Sequence, residues 1–161
     1  MLKPWTIVIT VHAVVATLAI ALGAFNLIRK IKGDPIHKFV GRTWSALMLI
    51  TSVSAFFIGG YNDLTSVLLH ALAAWTIISI VSGVYFAKKG NIAAHRGFMT
   101  GSYFGLIGAL IGVLVVPTRR IPTWFDAYPI AMSCIACFIL LLAWIYIFLV
   151  TRRYNRVAKK F

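Results

Sequence analysis

Acidic side chains are nearly absent from this 161-residue chain: Asp34, Asp63 and Asp126 stand against sixteen Lys and Arg. So few carboxylates leave no acid pair for general acid–base chemistry and no string of acids to relay protons. There are only two cysteines, Cys134 and Cys137. They form a Cys-x-x-Cys inside an apolar run, where two small buried residues are expected rather than a redox pair. A nucleotide-binding glycine loop and a serine-type triad are also missing, and no polar stretch is long enough for a soluble domain.

What is present is hydrocarbon. Hydrophobic residues make up 61% of the chain, and the mean hydropathy is +0.91. Five apolar runs near Thr6–Ile28, Phe39–Gly59, Ser66–Ala87, Phe98–Val116 and Ile130–Val150 each approach the ~20 helical residues that span a bilayer. Only helices satisfy their own backbone in lipid at this spacing. The expectation is an all-α integral membrane protein of one domain, 1–161. It consists of a four-helix bundle of two tandem hairpins (6–59 and 66–116), a fifth transmembrane helix (130–150) and a basic tail (151–161). The first run is too long for a signal-peptide core, and Arg29, Lys30 and Lys32 follow it directly.

Charge sets the expected orientation. Arg29, Lys30, Lys32, Lys38 and Arg42 surround the first turn, and Lys88, Lys89 and Arg96 surround the third connection. Arg152, Arg153, Arg156, Lys159 and Lys160 follow the last run. Only Lys3, Arg119 and Arg120 lie on the opposite side. The positive-inside rule then predicts an outside N-terminus and a cytoplasmic C-terminus. The net charge of +13 sits in short juxtamembrane segments, which suits anionic headgroups of the lipid bilayer and excludes nucleic acid as the partner. Trp5, Trp124, Tyr61 and Tyr128 are expected at the outer interface and Tyr154 at the inner one.

The four histidines fall at matched intervals, since His12 and His37 are twenty-five residues apart, as are His70 and His95. Each pair brackets one hairpin, with a glycine (Gly33, Gly90) in the turn and a basic residue after the second histidine. Asp34-Pro35 and Asn91 read as helix starts, placing His37 and His95 in first turns at the cytoplasmic face. Helix direction regroups the four, with His12 level with His70 on the outer side and His37 level with His95 on the inner side. The helical rise separates the levels by about 20–25 Å.

A lone histidine in a membrane helix is more often an interhelical hydrogen bond than a ligand. Two level-matched pairs favour ligation, because packing alone gives no reason for equal depth on alternate helices. Structural zinc needs four nitrogen or sulfur ligands, whereas each level offers two imidazoles. Two opposed imidazoles suit the axial positions of a haem iron. Ala16, Ala19 and Gly23 near His12, Gly41 after His37, and Ala73 and Ala74 beside His70 would leave room for a flat ring. The ladder Gly97, Gly101, Gly105 and Ala109 needs only helix packing. Lys38, Arg42 and Arg96 are the inner candidates for propionate contacts, and Arg119 and Arg120 the outer ones, for a propionate or a small anion.

The segment His37-Lys38-Phe39-Val40-Gly41-Arg42, with histidines on the preceding helix and the next hairpin, resembles a family of small bacterial membrane proteins of unassigned function. The resemblance covers the first four helices. The ligand layout is similar to the cytochrome b561 class, in which alternate helices of a four-helix core hold two b haems on opposite membrane faces. That likeness implies two haem b groups, His12 and His70 as outer ligands, His37 and His95 as inner ones, and electron transfer to or from a quinone or a small outer-face acceptor or donor. A bacterial inner membrane is the implied location. The chain is short, shows no substrate loop and carries its extra helix at the C-terminal end, so no substrate follows. Two other readings stand beside this one. One is a cofactor-free accessory subunit of a larger respiratory membrane complex, with respiratory-chain subunits or further copies of this chain as partners, and the other is a proton or metal-ion pathway. Enzyme status stays open among them.

Overall fold

The structure, a computed structural model, describes residues 4–60, 64–117 and 119–158. Its regular structure is helical throughout: α1 (Ile7–Ile28), α2 (Pro35–Ala55), α3 (Leu64–Lys88), α4 (Ile92–Val115), α5 (Arg120–Ala127) and α6 (Pro129–Ala158). Met1–Lys3, Tyr61, Asp63, Lys159 and Lys160 lie outside the described residues.

Local chemistry sets the helix ends. Thr6 caps α1, its hydroxyl accepting the Ile9 N–H at 3.4 Å. At the other end Lys32 donates to the carbonyls of Asn26 and Leu27, the latter at 3.0 Å, supplying donors where the helix runs out of its own. Gly33 then turns the chain at φ 78°, a conformation that favours glycine. Asp34 caps α2, accepting the His37 N–H at 2.9 Å and holding Arg29 through two bonds of 2.7 and 2.6 Å. Pro35 takes the first helical position, where a missing N–H costs nothing. The second hairpin repeats the plan with Gly90 at φ 76° and Asn91 accepting the Ala94 N–H at 3.1 Å.

Among the described residues four helices are long and apolar enough to cross a membrane: α1, α3, α4 and Pro129–Arg156 of α6. The expected second crossing, α2, is not among them although it has 21 residues. Lys38 and Arg42 occupy its first two turns, and its buried positions include Thr51 and Ser52. It is also the helix with most of the large core side chains, Val40, Trp44 and Met48. A helix enclosed by neighbours can carry polar groups that a lipid-facing one cannot. The tail expected after Val150 continues α6 as helix to Ala158.

Helices α1 to α4 form a ring. Each packs on the next, α4 closes on α1, and the diagonal pairs α1–α3 and α2–α4 do not meet along their backbones among the described residues. Helix α6 lies outside the ring against α1 and α2. Tyr146 of α6 hydrogen-bonds Thr43 at 2.6 Å, and Tyr146 and Tyr154 both pack on the Phe39 ring. This register brings the described basic residues of the first turn, the third connection and the α6 tail to one end, hereafter the basic end. At the other end Trp5 meets Trp124 of α5 at 6.0 Å. Helix α5 falls where a loop is expected, its Ile121, Trp124 and Phe125 recurring at helical spacing.

Two expectations about small residues are corrected. Cys134 and Cys137 are exposed and free on α6, facing away from the bundle. In an apolar environment a thiol packs against lipid as readily as against protein. The α4 ladder divides: Gly97 and Gly101 are exposed, whereas Gly105 meets Leu72 of α3. Ala74 likewise points outward, while Ala73 is buried.

Gly23 of α1 marks a tight approach in the ring, against two rigid aromatic side chains. A Cβ there would stand 2.5 Å from the Tyr103 ring and 2.6 Å from Trp44 Nε1. Gly23→Ala should therefore cost about 1–3 kcal/mol through overpacking, measured as a lower melting temperature in detergent. Gly97→Ala, whose Cβ meets nothing within 4 Å, should be neutral or stabilising by up to ~1 kcal/mol through helix propensity.

The first turn gives a pH signature. Hydrogen bonding from Arg29 holds the Asp34 carboxyl at about 2, below its ordinary 3.8, with the His37 N–H adding to the effect. A depressed carboxyl contributes stability above its unfolded value and loses it as pH falls through the folded one. Asp34→Ala should lower stability by about 1 kcal/mol at neutral pH. The gap to the native chain should close between pH 4 and 2, followed by chemical unfolding at each pH.

Candidate functional site

The helix starts place the histidines by register. His12 is the sixth residue of α1 and His70 the seventh of α3, both toward the α5 end. His37 is the third residue of α2 and His95 the fourth of α4, both at the basic end. His12 touches Ser54, which lies seventeen residues beyond His37 on α2. At 1.5 Å per residue the two levels are therefore about 26 Å apart along α2. The register puts His12 and His70 toward one end and His37 and His95 toward the other, each pair on helices diagonal across the ring.

His12 and His70 line one cavity of about 250 Å3, larger than the ~150 Å3 apolar void that admits benzene. All four ring helices contribute to it, with Ala16, Met48, Ala73 and Leu106 among the apolar walls. Arg119, Arg120 and Ile121 of the α5 segment close its end. Two polar groups in this wall make no hydrogen bond. The Thr51 hydroxyl is buried on a residue only 7% exposed, and Arg120 Nε is buried without an acceptor.

Three of the four imidazoles are oriented by a named partner. Ser54 donates its hydroxyl to Thr51 O at 3.0 Å, so its oxygen accepts the His12 Nδ1–H at 2.9 Å. That leaves Nε2 as the basic nitrogen of His12. His95 Nδ1–H donates to Gly83 O at 2.8 Å, with the same result. A ring N–H given to a hydroxyl or carbonyl, with the opposite nitrogen left basic, is how metal-binding histidines are held. His37 Nδ1 is buried and makes no hydrogen bond.

His70 differs. Its ring stacks on Phe56 at 5.8 Å, and Nε2 faces the carbonyls of Ala55 and Ile58, both at 3.2 Å. It therefore donates from Nε2, and ligation through that atom requires the ring to turn away from the end of α2. A ring of benzene size fits the cavity as it stands; a macrocycle requires this turn and a parting of the walls. No group of three or more His, Cys, Asp or Glu comes together among the described residues. The donor set is thus two imidazoles per level, which suits a metal that brings its other ligands with it.

Of the expected cationic contacts, Arg119 and Arg120 reach the cavity, whereas Lys38 and Arg96 are exposed at the basic end. Lys32 is not among the expected site residues. Burial, Arg29 and Arg96 together push its ammonium down. Thr51 and Ser54 were also missed. Hydroxyl residues in membrane helices most often bond their own i−4 carbonyl, and nothing in the sequence separates these two from the rest.

An all-helical membrane bundle with two histidine levels is the class that this geometry defines. A family model described as predicted membrane protein (DUF2306) matches residues 9–152. The chain belongs to that family, and the match spans α1 to most of α6, including all four histidines. No curated protein and no solved structure matches the chain.

Replacing Thr51 by Val should leave stability unchanged or raise it by about 1 kcal/mol, since a buried hydroxyl without a partner is removed at nearly equal volume. Denaturant midpoints of the two unliganded proteins give the comparison.

Proposed function

We propose that this protein is a membrane electron carrier that holds two b haems, one at each histidine level, and exchanges electrons with a quinone or a small donor or acceptor. The observation that carries the reading is the placing of His12 and His70. They stand at equal depth on diagonal helices that do not touch, and they face the same apolar cavity. Each ring is held by an interhelical hydrogen bond to the α2 end, and such bonds do not by themselves require both rings to face one cavity. The basic nitrogens left on His12 and His95 support ligation, as does the open Nδ1 of His37.

Haem so held supplies an iron that takes up and releases one electron. The chain's own part is to fix the axial imidazoles and exclude water. Ser54 and Gly83 fix the rings of His12 and His95 by accepting Nδ1–H. Met48, Ala73 and Leu106 keep the His12 level apolar. Arg119 and Arg120 at one end, and Lys38 and Arg96 at the other, offset the charge of propionates. By the positive-inside rule the basic end faces the cytoplasm and the α5 end faces outward, with five crossings and a bacterial inner membrane as the setting.

A reduced-minus-oxidised spectrum of the purified protein should show b-type bands with two haems per chain. His12→Ala or His70→Ala should remove one haem, and His37→Ala or His95→Ala the other. Absence of b-type bands in protein expressed with sufficient iron sinks the proposal.

One observation favours a second reading, a cofactor-free subunit of a larger membrane complex. Gly97, Gly101, Gly108 and Gly112 of α4 are exposed, with open space where a Cβ would stand. Such a face accommodates a partner helix. Co-purification of a respiratory enzyme with a haem-free chain is the result that supports it.

A further inference from the structure

The α5 end of the cavity has features that the histidines do not explain. Arg120 is half-buried in the cavity wall, and its Nε is buried without an acceptor. A guanidinium N–H withdrawn from water without an acceptor is costly. Asp126, the other charged residue of α5 besides Arg120, is exposed six positions further along. Helix α5 begins here at an Arg119 N-cap that makes no side-chain capping bond. Helix starts bind anions through their free N–H groups and dipole. Residues 119–121 all face the cavity. Independently, the Thr51 hydroxyl is more than nine-tenths buried in the same wall and unpartnered. The rest of the cavity wall is mostly apolar, with His12 and His70 among its polar members.

We infer that the cavity takes a ligand with an apolar body and a carboxylate end, the carboxylate being bound by Arg120 at the start of α5. Thr51 provides a second polar contact, deeper in, for a group on the body. A guanidinium grips a carboxylate through paired N–H donors, and the uncapped helix start adds to the same charge. The carboxylate has two sources, the propionate of a haem or the headgroup of a free amphipathic acid. The first rests on the haem reading and the second does not.

The full-length protein, prepared without haem in detergent, distinguishes them. Three probes are titrated: haem b, haem dimethyl ester (both propionates blocked) and palmitate. Binding is followed by quenching of tryptophan fluorescence and by protection of the 116–129 segment from protease. Each probe is tested on the native chain, Arg120→Lys and Arg120→Gln, and equal melting temperatures of the unliganded proteins establish that all three are folded. Loss of one charge-assisted contact should weaken an acid probe by about tenfold in Arg120→Gln. Arg120→Lys should lose less, and the ester should bind all three proteins alike.

Arg120-dependent binding of haem b, without such dependence for its ester, supports a propionate as the carboxylate. Arg120-dependent binding of palmitate by a chain that yields no haem bands supports the carboxylate site while the haem reading fails. Haem binding that is indifferent to Arg120 overturns the carboxylate site and leaves the haem reading standing. An ester that loses as much as the acid overturns it too, since Arg120 would then be acting through shape.

Discussion

A ring N–H inside a bilayer has no water to bond. That constraint governs the interior of this protein more than any single packing contact. Each imidazole with a buried N–H must give it to a protein acceptor, and the acceptor then decides which nitrogen remains basic. Ser54 does this for His12 and Gly83 for His95, while the end of α2 does it in the opposite sense for His70. Helix α2 supplies the acceptors at the α5 end because it runs between the two diagonal histidine helices. Its burial, its polar content and its central position are one fact seen three ways. A more apolar α2 would have left His12 and His70 without oriented partners.

Much of this was legible in the residues. The hairpin turns follow from Gly33, Asp34-Pro35, Gly90 and Asn91, whose caps form as their chemistry requires. The level pairing follows from helix direction alone, since antiparallel neighbours put alternate helices in register. The end of α6 was less legible. Sequence hydropathy stops where charge begins, but a helix continues past the hydrocarbon edge, as α6 does through Arg152 and Arg153 to Ala158. Helix α5 leaves little trace in the sequence because its eight residues are too few for a strong periodic signal and include Pro122.

The parts that sequence reasoning missed share a physical cause. Which face of a helix meets a neighbour is fixed by tertiary packing, and a lipid-facing surface is as apolar as a core. Cys134 and Cys137 look buried in sequence because their neighbours are apolar, yet they face outward. The α4 glycines look like one ladder, yet Gly97 and Gly101 stand open while Gly105 meets Leu72. Hydrophobic periodicity, the strongest guide in water-soluble helices, carries little information once both faces are greasy.

Gly23 seats the Trp44 and Tyr103 rings against α1, and the buried cluster of Leu22, Val40, Trp44 and Met48 gathers around that seat. The molecule is thus dense toward its basic half and hollow toward α5. Thermal opening of such a body is uneven, beginning where contacts are few. The hollow half can breathe on its own while the dense half keeps the helices in register. Exchange of whatever occupies the cavity is then a matter of local motion near α5, on a timescale decoupled from the lifetime of the fold.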